Sequence, residues 1–374
     1  PLGACHLWRC FLAGAHAGRP RRMSAASDKQ LLRYPWEEPP AHGAAIEVAP
    51  GVLWFRLPLP MKLDHVNVYA LDDGDHWTVI DTGFASNKTK DIWRAMMAGP
   101  LAGKPIARVV VTHHHPDHIG LAGWLQAEFG AELLTTRTAW LTARMLTLDV
   151  QETPALETLA FYRSAGMDPE IYASRATERP FNFADIVAPL PLGYTRLQQG
   201  DVITMGGRRW DVHMGNGHAP EHATFWSRDD NLVIAGDQIL PSISPNVGVY
   251  ATEPMADPIG EWLEACERLA LLARPDHLVL GGHKLPFTGL PTRMQQLIDN
   301  HHGALARLAA YIETPKAAGD VFAPLFKRSI GPGEYGLALV EAFAHLSHLH
   351  QTGLAVRTQR ADGAWQYQSI PASP

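Results

Sequence analysis

Residues 112–120, THHHPDHIG, follow the apolar run IARVVV and lead into HIGLAGWLQAEF. A β-branched run of that kind reads as a buried strand. Pro116 cannot continue a strand ladder, and the amphipathic stretch behind it reads as a helix from His118 to Phe129. The junction gathers four histidines and one aspartate into six adjoining positions. His113 and His115 are two apart, so at an extended strand end they point the same way, while His114 points elsewhere. The turn at Pro116 brings Asp117 and His118 round at the helix start. Two imidazoles are thus offered to one metal ion, and a carboxylate with a third imidazole to a neighbouring ion. A strand edge that opens onto a helix start, with donors on both, restricts the fold more than any other feature of the chain.

A catalytic metal ion takes about three protein ligands, so further donors must come from elsewhere. His218 in GNGHAPEH, Asp237 in VIAGDQIL and His283 in VLGGHKLP each close a strand-like run. With these residues the sequence resembles the metallo-β-lactamase superfamily. That family's pattern is His-x-His-x-Asp-His, then a downstream His, a bridging Asp and a final His. Here it falls in order on His113, His115, Asp117, His118, His218, Asp237 and His283. Asp81 in VIDTG matches the family's aspartate that orients the metal-binding loop. The resemblance runs from about residue 44 to 290 and implies an α/β fold, an αββα sandwich with metal ions at the sheet edge.

By the same resemblance, His113, His115 and His218 hold a first ion, Asp117, His118 and His283 a second, and Asp237 bridges them. His222 matches a second histidine of the family's GH…GH segment, with a hydrogen-bonding role preferred over ligation. His114, His213, His301 and His302 carry no ligand spacing and read as surface or supporting groups. The implied cofactor is a pair of divalent ions. Imidazole and carboxylate donors without thiolate suit zinc, iron and manganese, and zinc is the default. Two such ions ~3.5–4 Å apart share a water and lower its pKa toward neutrality. Asp117 is then also the catalytic candidate, passing a proton to the leaving group.

Around this motif the chain alternates strands and helices. Strands are expected in AIEVAPGVLWFRLPLP and HVNVYALDDGDHWTVIDTG, with DDGD as a hairpin turn, and a helix in NKTKDIWRAMMAGPLA. Residues 138–190 read as a helical insertion, a candidate lid, rich in Met145, Leu148, Phe161, Tyr162, Tyr172, Phe181 and Phe183, with Tyr194 just beyond. The catalytic domain is placed at 23–290. Residues 291–374 read as a winged-helix-like domain of three helices, with Leu339, Phe343 and Leu346 striping the third, and a hairpin turning at Asp362-Gly363. The stretch AHLSHLHQTGLAVRTQRADGAWQY resembles the winged-helix tail of the lactamase-β-like subfamily, whose members include an RNA endonuclease and bacterial hydrolases.

Residues 1–22 contain four arginines and no acidic group, and read as a non-native or targeting leader. Cys5 and Cys10 lie in it, which leaves Cys266 as a packed helix residue and gives no sign of an oxidising compartment. The net charge of −6 does not attract nucleic acid by its overall field. No apolar run approaches the ~20 residues a membrane-spanning helix needs. A cytoplasmic location is expected, or an organelle if the leader is native.

The function class follows from the donors. A bridging carboxylate at Asp237, where penicillin-hydrolysing relatives mostly carry cysteine or serine, favours the glyoxalase II, lactonase and nuclease-like branches. From Pro291 onward there are seven Lys/Arg against six Asp/Glu, and the stretch from Glu334 to Gln351 has no Lys or Arg. Phosphate neutralisation needs such cations, so the C-terminal module reads as a docking or homodimer surface rather than a nucleic-acid reader. The expected activity is hydrolysis of an ester, thioester or lactone of a small, apolar substrate. The alternatives are an endoribonuclease acting on single-stranded RNA with the same metals, and a mononuclear-iron sulfur dioxygenase.

Overall fold

The computed structural model describes residues 32–371. The leader read at 1–22, with Cys5 and Cys10, lies outside the described residues. Two mixed sheets form the centre. The first has seven strands in sequential order: β1 (Ile46–Ala49), β2 (Val52–Pro58), β3 (His65–Asp72), β4 (Trp77–Ile80), β5 (Ile106–Val110), β6 (Glu132–Thr136) and β7 (Thr195–Leu197). Hairpin connections make β1 to β4 antiparallel, and helical crossovers make β4 to β7 parallel. The second sheet has the order β12-β11-β10-β9-β8, built from β8 (Val202–Met205), β9 (Arg208–Gly215), β10 (His222–Ser227), β11 (Leu232–Gly236) and β12 (Leu278–Gly281). Only its β11–β12 pair is parallel.

Apolar residues from both sheets fill the space between them, among them Trp54, Tyr69, Ile80, Trp210, Phe225 and Leu280. The first sheet's outer face is covered by α1 (Asn87–Ala98), the short α2 (Pro116–Ile119) and α3 (Ala122–Phe129). Trp93 of α1 meets Phe55 of β2 edge-to-face at 5.1 Å and donates its Nε1–H to the carbonyl of Thr82 at 2.9 Å. Its burial stabilises the layer by roughly 2–3 kcal/mol and ties the helix to the loop that carries Asp81. The second sheet's outer face is covered by α7 (Pro258–Ala270) and by the C-terminal helices α8 (Leu290–Tyr311), α9 (Phe322–Phe326) and α10 (Tyr335–Gln351). The result is the expected layering of helix, sheet, sheet, helix.

The insertion between β6 and β7 is helical, as expected: α4 (Arg137–Leu148), α5 (Leu156–Ser164), α6 (Pro169–Arg175) and a 3-10 turn, Phe183–Asp185. Its aromatics divide between the core and the surface. Phe161 is buried and stacks edge-to-face on Phe343 of α10, and Tyr162 and Tyr172 pack against the same C-terminal core. Tyr194 stacks on Trp140, while Met145, Leu148 and Phe181 are exposed.

Three local expectations change. The helix expected over 118–129 breaks at Leu121, at φ −105 and ψ 9, just after Gly120, whose position admits no side chain: a Cβ there would meet the carbonyl oxygens of Pro116 at 2.3 Å and Gly83 at 2.5 Å. The second C-terminal helix shrinks to Phe322–Phe326 behind a 3-10 turn. The C-terminal hairpin, β13 (Ala355–Gln359) with β14 (Trp365–Ser369), closes over residues 360–364 rather than a two-residue turn, with the Arg360 N–H donating to Ala364.

α10 is buried almost all round. Leu339, Phe343 and Leu346 are buried as the stripe predicts, but so are Val340, Ala342, Ala344, His345, Ser347 and His348. His301, read from sequence as a surface or supporting group, is likewise buried against α10, stacked on His345 at 5.4 Å. Cys266 is buried in α7, as expected, and burial pushes its thiol up to about 12.

Candidate metal centre

All seven donors singled out in the sequence converge where β5, β11 and β12 end and the segment between β9 and β10 turns. Three sets of ligand atoms each lie within 4.8 Å of one another: His113, His115 and His218; His113, His118 and Asp237; Asp117, His118 and His283. Asp237 spans the two halves. Its Oδ2 is 3.6 Å from His218 Nε2 and 3.2 Å from His283 Nε2, and its Oδ1 is 3.5 Å from His118 Nε2. Asp117 Oδ2 lies 3.5 Å from His118 Nε2 and 3.4 Å from His283 Nε2.

The far nitrogens of His118, His283 and His218 are anchored, which fixes each tautomer. Asp81 Oδ2 can only accept, so His118 Nδ1 carries the proton at 2.8 Å and turns Nε2 into the cluster. By the same logic His283 donates Nδ1–H to the carbonyl of His65 at 2.7 Å, and His218 donates Nδ1–H to the carbonyl of Asn246 at 2.8 Å. Such anchoring raises ligand basicity and holds the ring plane. Asp81 itself stands at φ 63, an uncommon backbone state for a non-glycine residue. Thr112 holds it there through its N–H at 2.9 Å and its hydroxyl.

His118 Nε2, His218 Nε2 and Asp237 Oδ1 are buried and have no hydrogen-bond partner among the described residues. Buried polar atoms left so are costly, and here they share one space with carboxylates and imidazoles. The set fits divalent cations: nitrogen and oxygen donors, no thiolate, aimed at common points. Where ions bind, His113, His115 and His218 would hold one, Asp117, His118 and His283 the other, with Asp237 between.

His222 is different. Its Nε2 accepts the N–H of Asp237 at 3.0 Å, so that nitrogen supports the bridging residue and is not free to ligate. His114 faces Phe183 at 6.4 Å, and His213 lies beside Trp226 on β9.

The two halves differ in charge. Burial, reinforced by the neighbouring imidazoles, holds His113 and His115 well below the usual histidine range, and burial depresses His218. These rings are neutral and ready to donate lone pairs. Burial alone would also depress His118 and His283, yet Asp117 and Asp237 outweigh it and raise both, His283 to about 10. An ion entering that half must displace protons.

Residues 61–289 match the model of the metallo-beta-lactamase superfamily, and residues 305–370 that of the metallo-beta-lactamase-like C-terminal domain. The chain belongs to the metallo-beta-lactamase superfamily. A crystal structure of a beta-lactamase domain protein from Burkholderia ambifaria shares 35% identity and a TM-score of 0.84, covering 92% of this chain and 100% of that one. A metallo-beta-lactamase family protein from Thermus thermophilus shares 25% identity and a TM-score of 0.72, covering 86% and 100%. The probable metallo-hydrolase YqjP of Bacillus subtilis (strain 168) is 25% identical over 309 residues, 80% of this chain and 92% of that protein.

Asp81, the anchor of His118, was named from the sequence, but the anchors of His283 and His218 were missed. His65 and Asn246 act through backbone carbonyls, which no residue type advertises. No helix among the described residues is long and apolar enough to cross a membrane.

Proposed function

We propose that this hydrolase of the metallo-beta-lactamase superfamily cleaves an ester, thioester or lactone of a small, largely apolar substrate, using two divalent cations, zinc by default. The observation that carries the reading is the set of buried, unpartnered ligand atoms of His118, His218 and Asp237, aimed at one space between two groups of donors. When bound, the cations supply Lewis acidity and a water acidified enough to attack at neutral pH.

The chain's own residues divide the remaining work. Asp81, His65 and Asn246 fix the imidazole planes. Asp117 has a side chain 17% exposed, against 3% for Asp81 and 8% for Asp237, and so is the carboxylate of the centre most open to the cleft. A proton leaving the attacking water reaches the leaving group or solvent through it.

Phe183, beside His114, with the exposed Phe181 next to it, supports an apolar rather than polyanionic substrate. Three cations of the insertion are engaged within it: Arg144 donates to the Leu190 carbonyl, Arg163 to the Tyr172 hydroxyl, and Arg179 pairs with Asp185. A nucleic-acid substrate would need such cations free to meet phosphates, and α10 has no face left open to enter a groove.

The test is a panel of acyl thioesters, lactones, simple esters and single-stranded RNA, run on metal-loaded protein with a chelator control. Chelator-sensitive turnover of an acyl substrate supports the reading. Cleavage of the RNA alone would overturn it. One tightly held iron per chain, with sulfur oxidation, would do the same.

A further inference from the structure

Between Asp237 and α7 the chain runs through an irregular segment, residues 238–257, and the C-terminal helices grip its first half from outside. Arg293 of α8 donates Nε–H to the Leu240 carbonyl at 2.5 Å and an Nη2–H to the Ile243 carbonyl at 2.8 Å. Val249 N–H donates to the Val340 carbonyl of α10 at 3.2 Å. At the centre of this grip, Asn246 donates Nδ2–H to the Leu337 carbonyl at 3.1 Å and to Glu341 Oε2 at 2.7 Å. The same residue's carbonyl accepts the Nδ1–H of His218 at 2.8 Å. A side chain of α10 is therefore two hydrogen bonds away from an imidazole of the metal centre, over 120 residues apart in sequence.

We infer that Glu341, acting through Asn246, is a positioning residue for His218: the C-terminal module sets the ring's tautomer and aim and so tunes the affinity of the ion that His218 holds. The inference rests on reading His218 as a metal ligand. The physical reason is geometric. The Asn246 carbonyl can hold the His218 ring only if its own peptide is held. The segment forms no strand, so its order comes from the burial of Ile239, Leu240, Val247 and Val249, with the hydrogen bonds of Arg293 and Asn246 fixing its backbone. Outer partners of this kind are worth about 10–100-fold in metal affinity. Glu341 Oε2 at 2.7 Å is the closer of the two acceptors that Asn246 Nδ2 reaches, the Leu337 carbonyl standing at 3.1 Å.

The test measures Zn²⁺ and Co²⁺ binding to the metal-free full chain by competition with a chromophoric chelator, alongside the Co²⁺ absorption spectrum. Glu341→Ala and Asn246→Ala should each weaken one of two ions by about tenfold or more and alter the Co²⁺ bands. The double variant should lose no more than either single, because both cut one path. Glu341→Gln keeps an acceptor oxygen in place and should restore affinity and spectrum together. Wild-type affinity and spectrum in folded Asn246→Ala would overturn the inference, as would additive losses in the double variant. Should Glu341→Ala fail to fold, Asn246→Ala decides alone. A wild-type chain that takes up no ion would instead overturn the ligand reading beneath it.

Discussion

The stacked pair His301 and His345 makes the core beneath the C-terminal helices sensitive to acid. His345 donates Nδ1–H to the carbonyl of Glu341, so its Nε2 must accept from His301 Nδ1 at 3.3 Å. That leaves His301 Nε2 buried and without a partner among the described residues, near the ring of Trp262. A proton there has no acceptor. Burial, with His345, His302 and His348 nearby, brings His301 down to about 3, and burial brings His345 to about 4, with His348 and Arg307 adding to the depression. An unfolded chain titrates both near 6.5. The native pair therefore stays neutral, and its contribution to stability is present above pH 6.5 and lost as pH falls toward 4. Between pH 8 and pH 5 each imidazole forfeits about 2 kcal/mol, roughly 4 kcal/mol together. That is a large part of the ~5–15 kcal/mol that holds a typical domain. Urea unfolding of metal-free wild type and of the His301→Gln/His345→Gln double variant, at half-unit steps from pH 8 to 5, measures it. The variant begins less stable from lost packing, but its stability falls less by about 4 kcal/mol over that range. Contributions from the metal-site histidines cancel in the difference. Parallel curves would refute the assignment of buried neutral imidazoles.

Other expectations follow from the centre and its surroundings. His115→Ala should fold yet lose at least about 100-fold in turnover and one bound ion, read by elemental analysis beside initial rates; wild-type turnover in that variant would remove His115 from the site. Asp81→Asn takes the ionised acceptor from His118 Nδ1 and should lower metal affinity about 10–100-fold, measured by chelator competition. Gly282→Ala would set a Cβ 2.2 Å from Asp237 Oδ1 and 2.8 Å from His118 Cε1, so the variant should retain its circular dichroism and fail to bind metal. Cys266, raised to about 12 and buried, should resist iodoacetamide at pH 8 until denaturant is added, as mass spectrometry of its peptide would show.

The donors were legible because they cluster just beyond strand-like runs, where a period of two and a terminating proline or glycine mark the break, and because their order matches the family pattern. Individual strands were legible because they are dense in Val, Ile and aromatic residues, while their division into two sheets was implied by the family resemblance. What could not be read was anything carried by a backbone atom or by close approach. The helical periodicity runs on through Gly120, and only the backbone at Leu121, at φ −105 and ψ 9, shows where the helix divides. Phe161 and Tyr172 read in sequence only as aromatics of a helical insertion, and long-range packing takes them against the core under α10. His301 carries no ligand spacing, and only the crossing of α8 with α10 shows that it is an interior residue. Asn246 sits in a segment without pattern, and its importance lies in a main-chain oxygen.

The outer face of the β8–β12 sheet and the inner flanks of α8 and α10 make one continuous apolar interior, from Trp226 and Val279 through Leu297 to Leu346 and Tyr367. The stretches matched by two separate family models consequently share a boundary that water never reaches. Calorimetry should record one melting peak for both, and a chain cut near residue 290 should emerge from the ribosome with a bare hydrophobic wall and aggregate. Grafting the tail of a distant relative onto this body would meet the same obstacle, because the seam must match side chain for side chain.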